Sequence, residues 1–318
     1  MSTDRITQNL TRRTGNSSRE LLARLFFLTC ALLSIITTVG IVLLLLNETS
    51  RFFSETAWIV GSTKETISMV DFFTKTTWRP GNGQFGVLAP LTGTLMVTIG
   101  SAVIALPLGV ATALYLSEYA SERARSVLKP ALEILAGIPT VVYGFFAVIY
   151  ITPLLEPIFH LQFFNIMSAC IVVGIMIIPM VASVSEDAMS AVPDDLRQAG
   201  YGMGATKFDV SVGIVIPAAI SGIFSSFILA LSRAIGETMA VTVAAGNVAN
   251  FRNPLNPFAY TGPNMPMTKA IVASLTGDFT GGGLAYRSAF AVGFTLFVVT
   301  LIMNVVSDLI AERYREEY

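Results

Sequence analysis

Residues 157–185 read PIFHLQFFNIMSACIVVGIMIIPMVASVS and contain no Asp, Glu, Lys or Arg. A helix needs roughly 20 apolar residues to cross the hydrocarbon core of a membrane, because every backbone amide must be hydrogen-bonded inside the helix. The stretch is long enough to meet this requirement. It therefore predicts a transmembrane helix near 166–185 and indicates a chain that folds within a lipid bilayer.

Five further stretches of similar length are uncharged, so the sequence predicts an all-α, polytopic membrane protein with six transmembrane helices. The predicted helices lie near 24–46, 91–117, 132–155, 166–185, 210–237 and 287–310. Segment 238–250 is apolar but too short to span a bilayer. We expect it to be an outer extension or a re-entrant piece.

The composition excludes several other classes of protein. Charged residues make up 13% of the 318 residues and hydrophobic residues 53%, so an ordinary water-facing surface cannot be built. This excludes a typical soluble enzyme. The net charge of −1 gives no field that would attract nucleic acid. A single histidine and two cysteines in apolar runs indicate neither a metal site nor a bound cofactor, so none is expected.

The distribution of Lys and Arg predicts the orientation of the chain. Twelve of them lie in the N-terminal segment, the second and fourth connections and the tail, whereas seven lie in the connections of the other side. Positive residues stay preferentially in the cytoplasm, so both termini are predicted to be cytoplasmic. The predicted organisation is a cytoplasmic arm 1–23, a first transmembrane helix 24–46, an outer loop 47–90, a transmembrane domain 91–311 and a cytoplasmic tail 312–318.

Two opposite charges stand inside the fifth hydrophobic segment, at Arg233 and Glu237. Residues four apart share one face of a helix and can pair. A charge at membrane depth is costly, so it must face a partner, water or protein. One interpretation is a structural ion pair near the outer end of the helix. The other is a path for an anion, in which the guanidinium offers a forked donor to an oxyanion.

Loop 186–209 is longer than a turn between two spans requires. Pro193 followed by Asp194 and Asp195 is typical of a helix start, and glycines then follow at 200, 202 and 204. The pattern predicts a short helix, a glycine break and a second short helix. Such a loop is either a docking element for another protein or a solvated amphipathic connection. The chain contains no GxxxxGK[ST] motif, so energy for transport must come from a partner or an ion gradient.

The same loop resembles the permease subunits of binding-protein-dependent ABC importers. Their cytoplasmic motif is EAA, three residues, Gly, nine residues, Ile, one residue and Leu-Pro. Here it reads Gln198-Ala199-Gly200, Gly204, Ile214 and Ile216-Pro217 at the same spacing. Gln198 replaces the glutamate and Gly200 replaces the second alanine. The resemblance implies that Gln198, Ala199, Gly200 and Gly204 couple the chain to an ATPase.

A second stretch resembles one particular group of these permeases. Residues 231–242 read LSRAIGETMAVT, and this stretch is similar to the hallmark of phosphate-importer permeases of the PstC type. GIPTVVYG at 137–144 and IIP at 177–179 are similar to further parts of the same group. The resemblance implies a type I ABC importer permease fold. It also implies that Arg233, Glu237 and Thr238 lie on the substrate path.

The resemblance further implies partners: a PstA-like second permease subunit, two copies of a PstB-like ATPase and an extracytoplasmic PstS-like phosphate-binding protein. We therefore expect the permease subunit of an ATP-driven phosphate importer in a bacterial plasma membrane, with the ATP hydrolysis supplied by the separate ATPase. Three alternatives remain open from the residues alone. They are a permease for another oxyanion such as sulfate or molybdate, a secondary transporter in which Glu237 carries a proton, and a structural membrane protein.

Overall fold

The computed structural model describes residues 17–54, 56–57, 65–276 and 283–313 of the chain. The predicted arm 1–23 lies mostly outside these residues. The chain divides into two compact units, Met1–Glu48 and Thr49–Tyr318. In the first unit the described residues form part of one helix. The second unit contains all the other described elements and three hydrophobic clusters.

The described part of the chain is mostly helical. Its helices are α1 Ser17–Ser54, α2 Met69–Thr74, α3 Leu88–Leu114, α4 Glu122–Gly137, α5 Thr140–Phe146, α6 Thr152–Phe159, α7 Ile166–Ser190, α8 Asp194–Gly202, α9 Lys207–Val210, α10 Ile216–Ala218, α11 Ile220–Ile235, α12 Met239–Ala244, α13 Met267–Thr276 and α14 Leu284–Arg313. Three wider π-helical turns extend or join them, at Tyr115–Tyr119, Ala147–Ile151 and Ser211–Val215.

Five described helical segments are long and apolar enough to cross a membrane: Glu20–Ser54, Leu88–Tyr119, Thr140–Phe159, Ile166–Ser190 and Leu284–Val306. A sixth is formed if the pair Lys207–Ala218 and Ile220–Ile235, bent by 68°, counts as one span. The bend follows Pro217, which cannot donate a backbone hydrogen bond. The prediction of six spans therefore agrees with the structure when the fifth is a broken helix.

The third predicted helix, 132–155, is wrong at its beginning. Residues 122–137 form α4, a separate amphipathic helix where the sequence predicted loop 118–131, and the span starts only at Thr140. Pro139 disfavours a helical conformation at the residue before it, and Ile138 is extended with φ −66° and ψ 130°. The helix therefore breaks at 138–139 and a new one begins.

The boundary of the first helix also differs from the prediction. Helix α1 begins at Ser17, seven residues before the predicted start at 24, and continues to Ser54 instead of 46. Glu20 lies in the first turn of α1, where a carboxylate stabilises the positive end of the helix dipole. The polar ends therefore continue the helix beyond the apolar segment from which the span was predicted.

The predicted outer loop 47–90 contains packed structure instead of an irregular connection. It holds the end of α1, helix α2, and two short antiparallel hairpins, Thr56–Ala57 with Glu65–Thr66 (β1, β2) and Trp78–Arg79 with Gln84–Phe85 (β3, β4). Buried aromatic rings meet edge to face in its core, with centroids 5.3 Å apart for Phe52 and Phe85 and 5.9 Å apart for Trp78 and Phe85. These rings belong to a hydrophobic cluster that this segment shares with Met267 and Val292.

Helices α3 and α7 form the centre of the main core. Small residues allow their backbones to approach closely. A Cβ at Gly100 would lie 2.5 Å from Cys170 Sγ, and a Cβ at Gly109 would lie 2.6 Å from Val181 side-chain atoms. Any larger residue at either glycine would have to separate the two helices, so the pair forms a tightly packed frame.

The second long connection, 238–286, is also folded where it is described. The predicted short segment 238–250 forms α12, which packs against α5, and α13 follows within the same connection. The buried Asn264 side chain accepts hydrogen bonds from Asn250 N at 2.9 Å and Met265 N at 3.0 Å. Gly246 has φ +90°, a conformation that favours glycine. These contacts fold the connection back towards the helical core.

Candidate functional site

Arg233 lies two residues before the end of α11. Its side chain is exposed and lines a cavity of about 400 Å³. Among the residues that the structure describes, its guanidinium has no hydrogen-bond or ion-pair partner. An unpaired charge in an apolar helix is stable only where water or a polar ligand reaches it. The geometry therefore presents Arg233 to the contents of this cavity.

The cavity follows the half of α7 that leads into loop 186–209. Its walls come from the π-helical turn after α3, from α4, from α7 and from α11. The lining residues are Leu116, Lys129, Leu132, Glu133, Ala136, Met176, Pro179, Met180, Ser183, Val184, Glu186 and Arg233. Pro179 lies near the middle of α7, so the cavity extends from mid-depth of the bundle to the end that carries the loop.

The expected pairing of Arg233 with Glu237 is not formed between these described residues. Helix α11 ends at Ile235, so the two side chains do not share a helix face. Glu237 is only 8% exposed, and its carboxylate accepts a hydrogen bond from Ala240 N at 3.1 Å, in the first turn of α12. A carboxylate at this position also stabilises the positive end of the helix dipole. The turn after α11 therefore separates Glu237 from Arg233.

Thr238 lies in the turn between α11 and α12. Its hydroxyl donates to Gly236 O at 3.1 Å, while the carbonyl of Glu237 accepts from Thr268 Oγ1 at 2.8 Å. Helix α13, which carries Thr268, thus holds this turn in place. The three residues predicted for the substrate path lie within one short region, but only Arg233 lines the cavity.

A buried carboxylate at the other end of the cavity was not predicted. Glu186 has no exposed surface, and it forms ion pairs with Arg125 and with Lys129, the latter at 2.7 Å. Both cations belong to α4, the helix where the sequence predicted a loop. Their spacing of four residues was visible in the sequence and places both on one helix face. It did not indicate that they meet a residue at position 186.

Loop 186–209 has the predicted form of a short helix, a glycine break and a second short helix. Helix α8 is followed by Gly204 with φ +83°, and α9 begins at Lys207. Thr206 and Asp209 stabilise that start reciprocally: Thr206 Oγ1 accepts from Asp209 N at 3.3 Å, and Asp209 Oδ2 accepts from Thr206 N at 3.0 Å. The loop is thus a defined structural element.

The predicted coupling residues have different environments. Gln198, Ala199 and Gly204 are exposed, whereas Gly200 is buried. A Cβ at Gly200 would lie 2.6 Å from Ile214 Cδ1, so α8 packs closely on the π-helical turn at Ser211–Val215. This close contact is a physical reason for glycine in place of alanine at 200.

Arg197 attaches α8 to the helical bundle. Its guanidinium pairs with Glu118 at 3.1 Å and donates to Met189 O at 2.8 Å. The Glu118 side chain is only 5% exposed and lies in the π-helical turn that continues α3. Arg197 thus connects α8 to the ends of both α3 and α7. Sequence reasoning missed this contact because the two residues are 79 positions apart.

A second cavity, of about 800 Å³, lies among α5, α12 and α13 and is lined mainly by apolar side chains. Lys269 is the charged residue in its wall. The Lys269 ammonium donates to Thr242 O at 2.6 Å, and burial lowers the pKa of Lys269 to about 8. The side chain thus combines a structural hydrogen bond with a weakened preference for the charged form.

Comparisons with known proteins extend these observations. The family model described as "Binding-protein-dependent transport system inner membrane component" matches residues 105–316. The chain is 30% identical to the probable ABC transporter permease protein YqgH of Bacillus subtilis, with coverage of 96% of this chain and 94% of that protein. It is 32% identical to the phosphate transport system permease protein PstC of Mesorhizobium japonicum, with coverage of 90% and 91%.

A solved structure has the same fold. It is a bacterial alginate ABC transporter in complex with a periplasmic protein that holds an alginate pentasaccharide. The TM-score is 0.64 at 15% sequence identity, and the alignment covers 93% of this chain and 96% of that one. This similarity shows a type I ABC importer permease fold, and at such low identity it carries no information about substrate.

Proposed function

Because the chain belongs to the family of binding-protein-dependent transport system inner membrane components, we propose that it is the transmembrane permease subunit of an ATP-driven importer of inorganic phosphate. It lies in a bacterial plasma membrane as a multi-pass protein. A second permease subunit of the PstA type completes the translocation path, a PstB-like ATPase dimer supplies energy, and a PstS-like protein delivers phosphate from outside.

The observation that carries this proposal is the Arg233 guanidinium, which has no partner among the described residues and lines the cavity that begins at mid-depth of the bundle. Phosphate at neutral pH is an anion with several acceptor oxygens, and a guanidinium offers it paired, charge-assisted hydrogen bonds. The similarity to a phosphate permease over 90% of the chain supports phosphate as the oxyanion. Glu237 and Thr238 act in this scheme by fixing the turn that follows Arg233.

The ATPase is proposed to bind the exposed part of α8 and the following turn, through Gln198, Ala199 and Gly204. Gly200 contributes by allowing α8 to pack on the bundle. Closure of the ATPase dimer would displace α8, and the Arg197–Glu118 pair would pass that displacement to α3. Pro179 within α7 and the bend in the fifth span provide the hinges that open the cavity alternately to the two sides.

The test is uptake of radiolabelled phosphate, at micromolar external concentration, in cells that lack this chain, with sulfate and molybdate measured in parallel. Selective loss of phosphate uptake, restored by the intact chain, is the expected result. Loss of sulfate or molybdate uptake instead would establish another oxyanion as substrate. Uptake that persists when the ATPase gene is deleted would favour an ion-gradient-driven transporter, and unchanged uptake of all three would contradict a transport role.

The role of Arg233 is tested by Arg233→Gln, which removes the charge and keeps a similar length. We expect loss of at least about 90% of phosphate uptake with normal assembly of the complex, because a lost charge-assisted contact weakens binding roughly tenfold or more. Arg123→Gln, on the exposed surface of α4 and outside the cavity lining, is the matched control. Uptake by Arg233→Gln equal to that of the control would remove Arg233 from the path.

A further inference from the structure

Lys129 faces the same cavity as Arg233. Its side chain is 38% exposed, and its ammonium lies 2.7 Å from Oε2 of the fully buried Glu186. That oxygen has no well-aligned hydrogen bond from any residue that the structure describes. The contact is thus an electrostatic one that leaves other directions around the Lys129 ammonium open to a cavity ligand.

The neighbouring Arg125 differs from Lys129 in one respect. It also pairs with Glu186, and its side chain is 41% exposed, but it does not line the cavity. Glu186 therefore has one cation that faces the cavity and one that does not. If Lys129 turns to a cavity ligand, Arg125 still neutralises the buried carboxylate, so the exchange leaves no unpaired charge in the core.

The charges around the cavity favour an anion. Its lining contains two cations, Arg233 and Lys129, and two carboxylates, Glu133 and Glu186. Arg125 compensates Glu186 from outside the lining, so this group of five side chains carries one surplus positive charge. An oxyanion that enters the cavity would meet Arg233, which no described residue pairs with, and Lys129, whose partner Glu186 has a second cation.

We propose that Lys129 is a second anion-binding residue of the substrate path, and that Glu186 competes with the transported oxyanion for it. The inference rests on the proposed function, since it takes phosphate as the anion that reaches Arg233. When the cavity is empty, Glu186 holds Lys129. When phosphate enters, Lys129 contacts a phosphate oxygen and Glu186 keeps Arg125. Return of Lys129 to Glu186 then weakens phosphate binding and promotes its release.

The experiment measures equilibrium binding of radiolabelled inorganic phosphate to the purified complex of both permeases and the ATPase, without nucleotide. The external binding protein is omitted because it would itself capture phosphate. We expect Lys129→Gln to weaken binding roughly tenfold or more, since one charge-assisted contact is lost. Arg123→Gln is the matched control, because Arg123 lies on the exposed surface of α4, outside the cavity lining, and is not among the described cations that pair with Glu186. It should change binding by no more than about twofold.

The second test is a variant that should gain phosphate binding, a result that misfolding cannot produce. Glu186→Gln removes the competitor, so it should bind phosphate more tightly than the unmodified complex and transport it more slowly. Equal effects of Lys129→Gln and Arg123→Gln, or weaker binding by Glu186→Gln, would overturn the proposal.

The same measurements distinguish a wrong role for Lys129 from a wrong choice of phosphate as the substrate. If the unmodified complex binds sulfate or molybdate and not phosphate, the substrate is wrong, and the three variants are then compared with that anion by the same criteria. Absence of binding of any oxyanion at millimolar concentration would overturn the role of Lys129 as well.

Discussion

Glu186 is the most deeply buried charge described in the helical bundle, and its stability depends on two cations from α4. Either cation alone can still neutralise it. Removal of both would leave a buried carboxylate without a partner, which is far more costly than the loss of an exposed ion pair. The ion pairs therefore attach α4 to α7 in a redundant way.

We expect Arg125→Ala combined with Lys129→Ala to destabilise the protein by about 3–5 kcal/mol, because Glu186 is then buried and unpaired. Each single change should cost much less. Thermal unfolding of the detergent-solubilised complex measures the difference. In a Glu186→Gln background the same double change should have little further effect, and additive costs in all backgrounds would contradict the redundancy.

The buried Lys269 is expected to make the stability of the protein depend on pH. Burial lowers its pKa from 10.5 to about 8, so between these values the unfolded chain binds a proton that the folded chain does not. Stability then rises with pH in that interval. Relative to Lys269→Met, the wild-type protein should gain thermal stability from pH 8 to pH 10.5 and show a constant difference below pH 8.

The comparison requires melting temperatures of both proteins at several pH values across that interval. The exposed Lys75 provides the control substitution, Lys75→Met. A difference between wild type and Lys269→Met that stays flat through the interval would show that the Lys269 ammonium is not destabilised by burial.

At the residue level, the sequence revealed the candidates that stand out locally. Arg233 and Glu237 were found because charges are rare inside an apolar run. Glu186 was not, because it lies at the end of such a run and looks like the beginning of a loop. Its partner Arg125 is 61 positions away, and no local pattern predicts a contact at that separation.

Among the elements, loop 186–209 depends on one backbone conformation. Gly204 has φ +83°, where a residue with a side chain costs roughly 1–2 kcal/mol. We expect Gly204→Val to distort the turn between α8 and α9 and to reduce co-purification of the ATPase with the permeases several-fold. Space around Gly204 is open, so the effect would come from the backbone and not from a clash.

Gly202→Ala is the matched control for this experiment. Gly202 belongs to α8, its φ is not positive, and nothing lies within 4 Å of a Cβ placed there. It should retain the ATPase at the wild-type level. Equal retention by Gly204→Val would contradict a role of this turn in coupling.

Helix α4 illustrates why element boundaries were the weakest part of the sequence prediction. Uncharged length alone placed a span at 132–155, but the apolar residues of 132–137 belong to an amphipathic helix that ends at Gly137. Pro139 lies at the break, and the next helix begins after it at Thr140. Hydropathy measures where a helix can enter lipid, and it does not distinguish a kinked helix from two helices.

For the whole molecule, orientation in the membrane is a prediction from the positions of Lys and Arg. Met203 in loop 186–209 is 83% exposed and Leu255 in the second long connection is 80% exposed. With Cys30 and Cys170 replaced by serine, a membrane-impermeant maleimide added to intact spheroplasts should label Leu255→Cys and not Met203→Cys. Permeabilised cells should give labelling of both, and the reverse pattern would invert the orientation.

The fold class, the number of spans and the helix–glycine–helix form of loop 186–209 followed from composition, uncharged length and glycine spacing. The packing of segments 47–90 and 238–286 did not. Their structure depends on contacts such as Phe52 with Phe85 and Asn264 with Asn250, which join residues distant in sequence.

The three π-helical turns, at Tyr115–Tyr119, Ala147–Ile151 and Ser211–Val215, have an evolutionary consequence. Each holds about one residue more than an α-helix of the same length, so it acts as an insertion absorbed within a helix. Deleting one residue there would restore α-helical geometry and keep both flanking segments on their original faces. Deleting one within α3 would rotate everything beyond it by about 100°. Single-residue gaps among relatives are therefore expected inside these helices as well as in the loops.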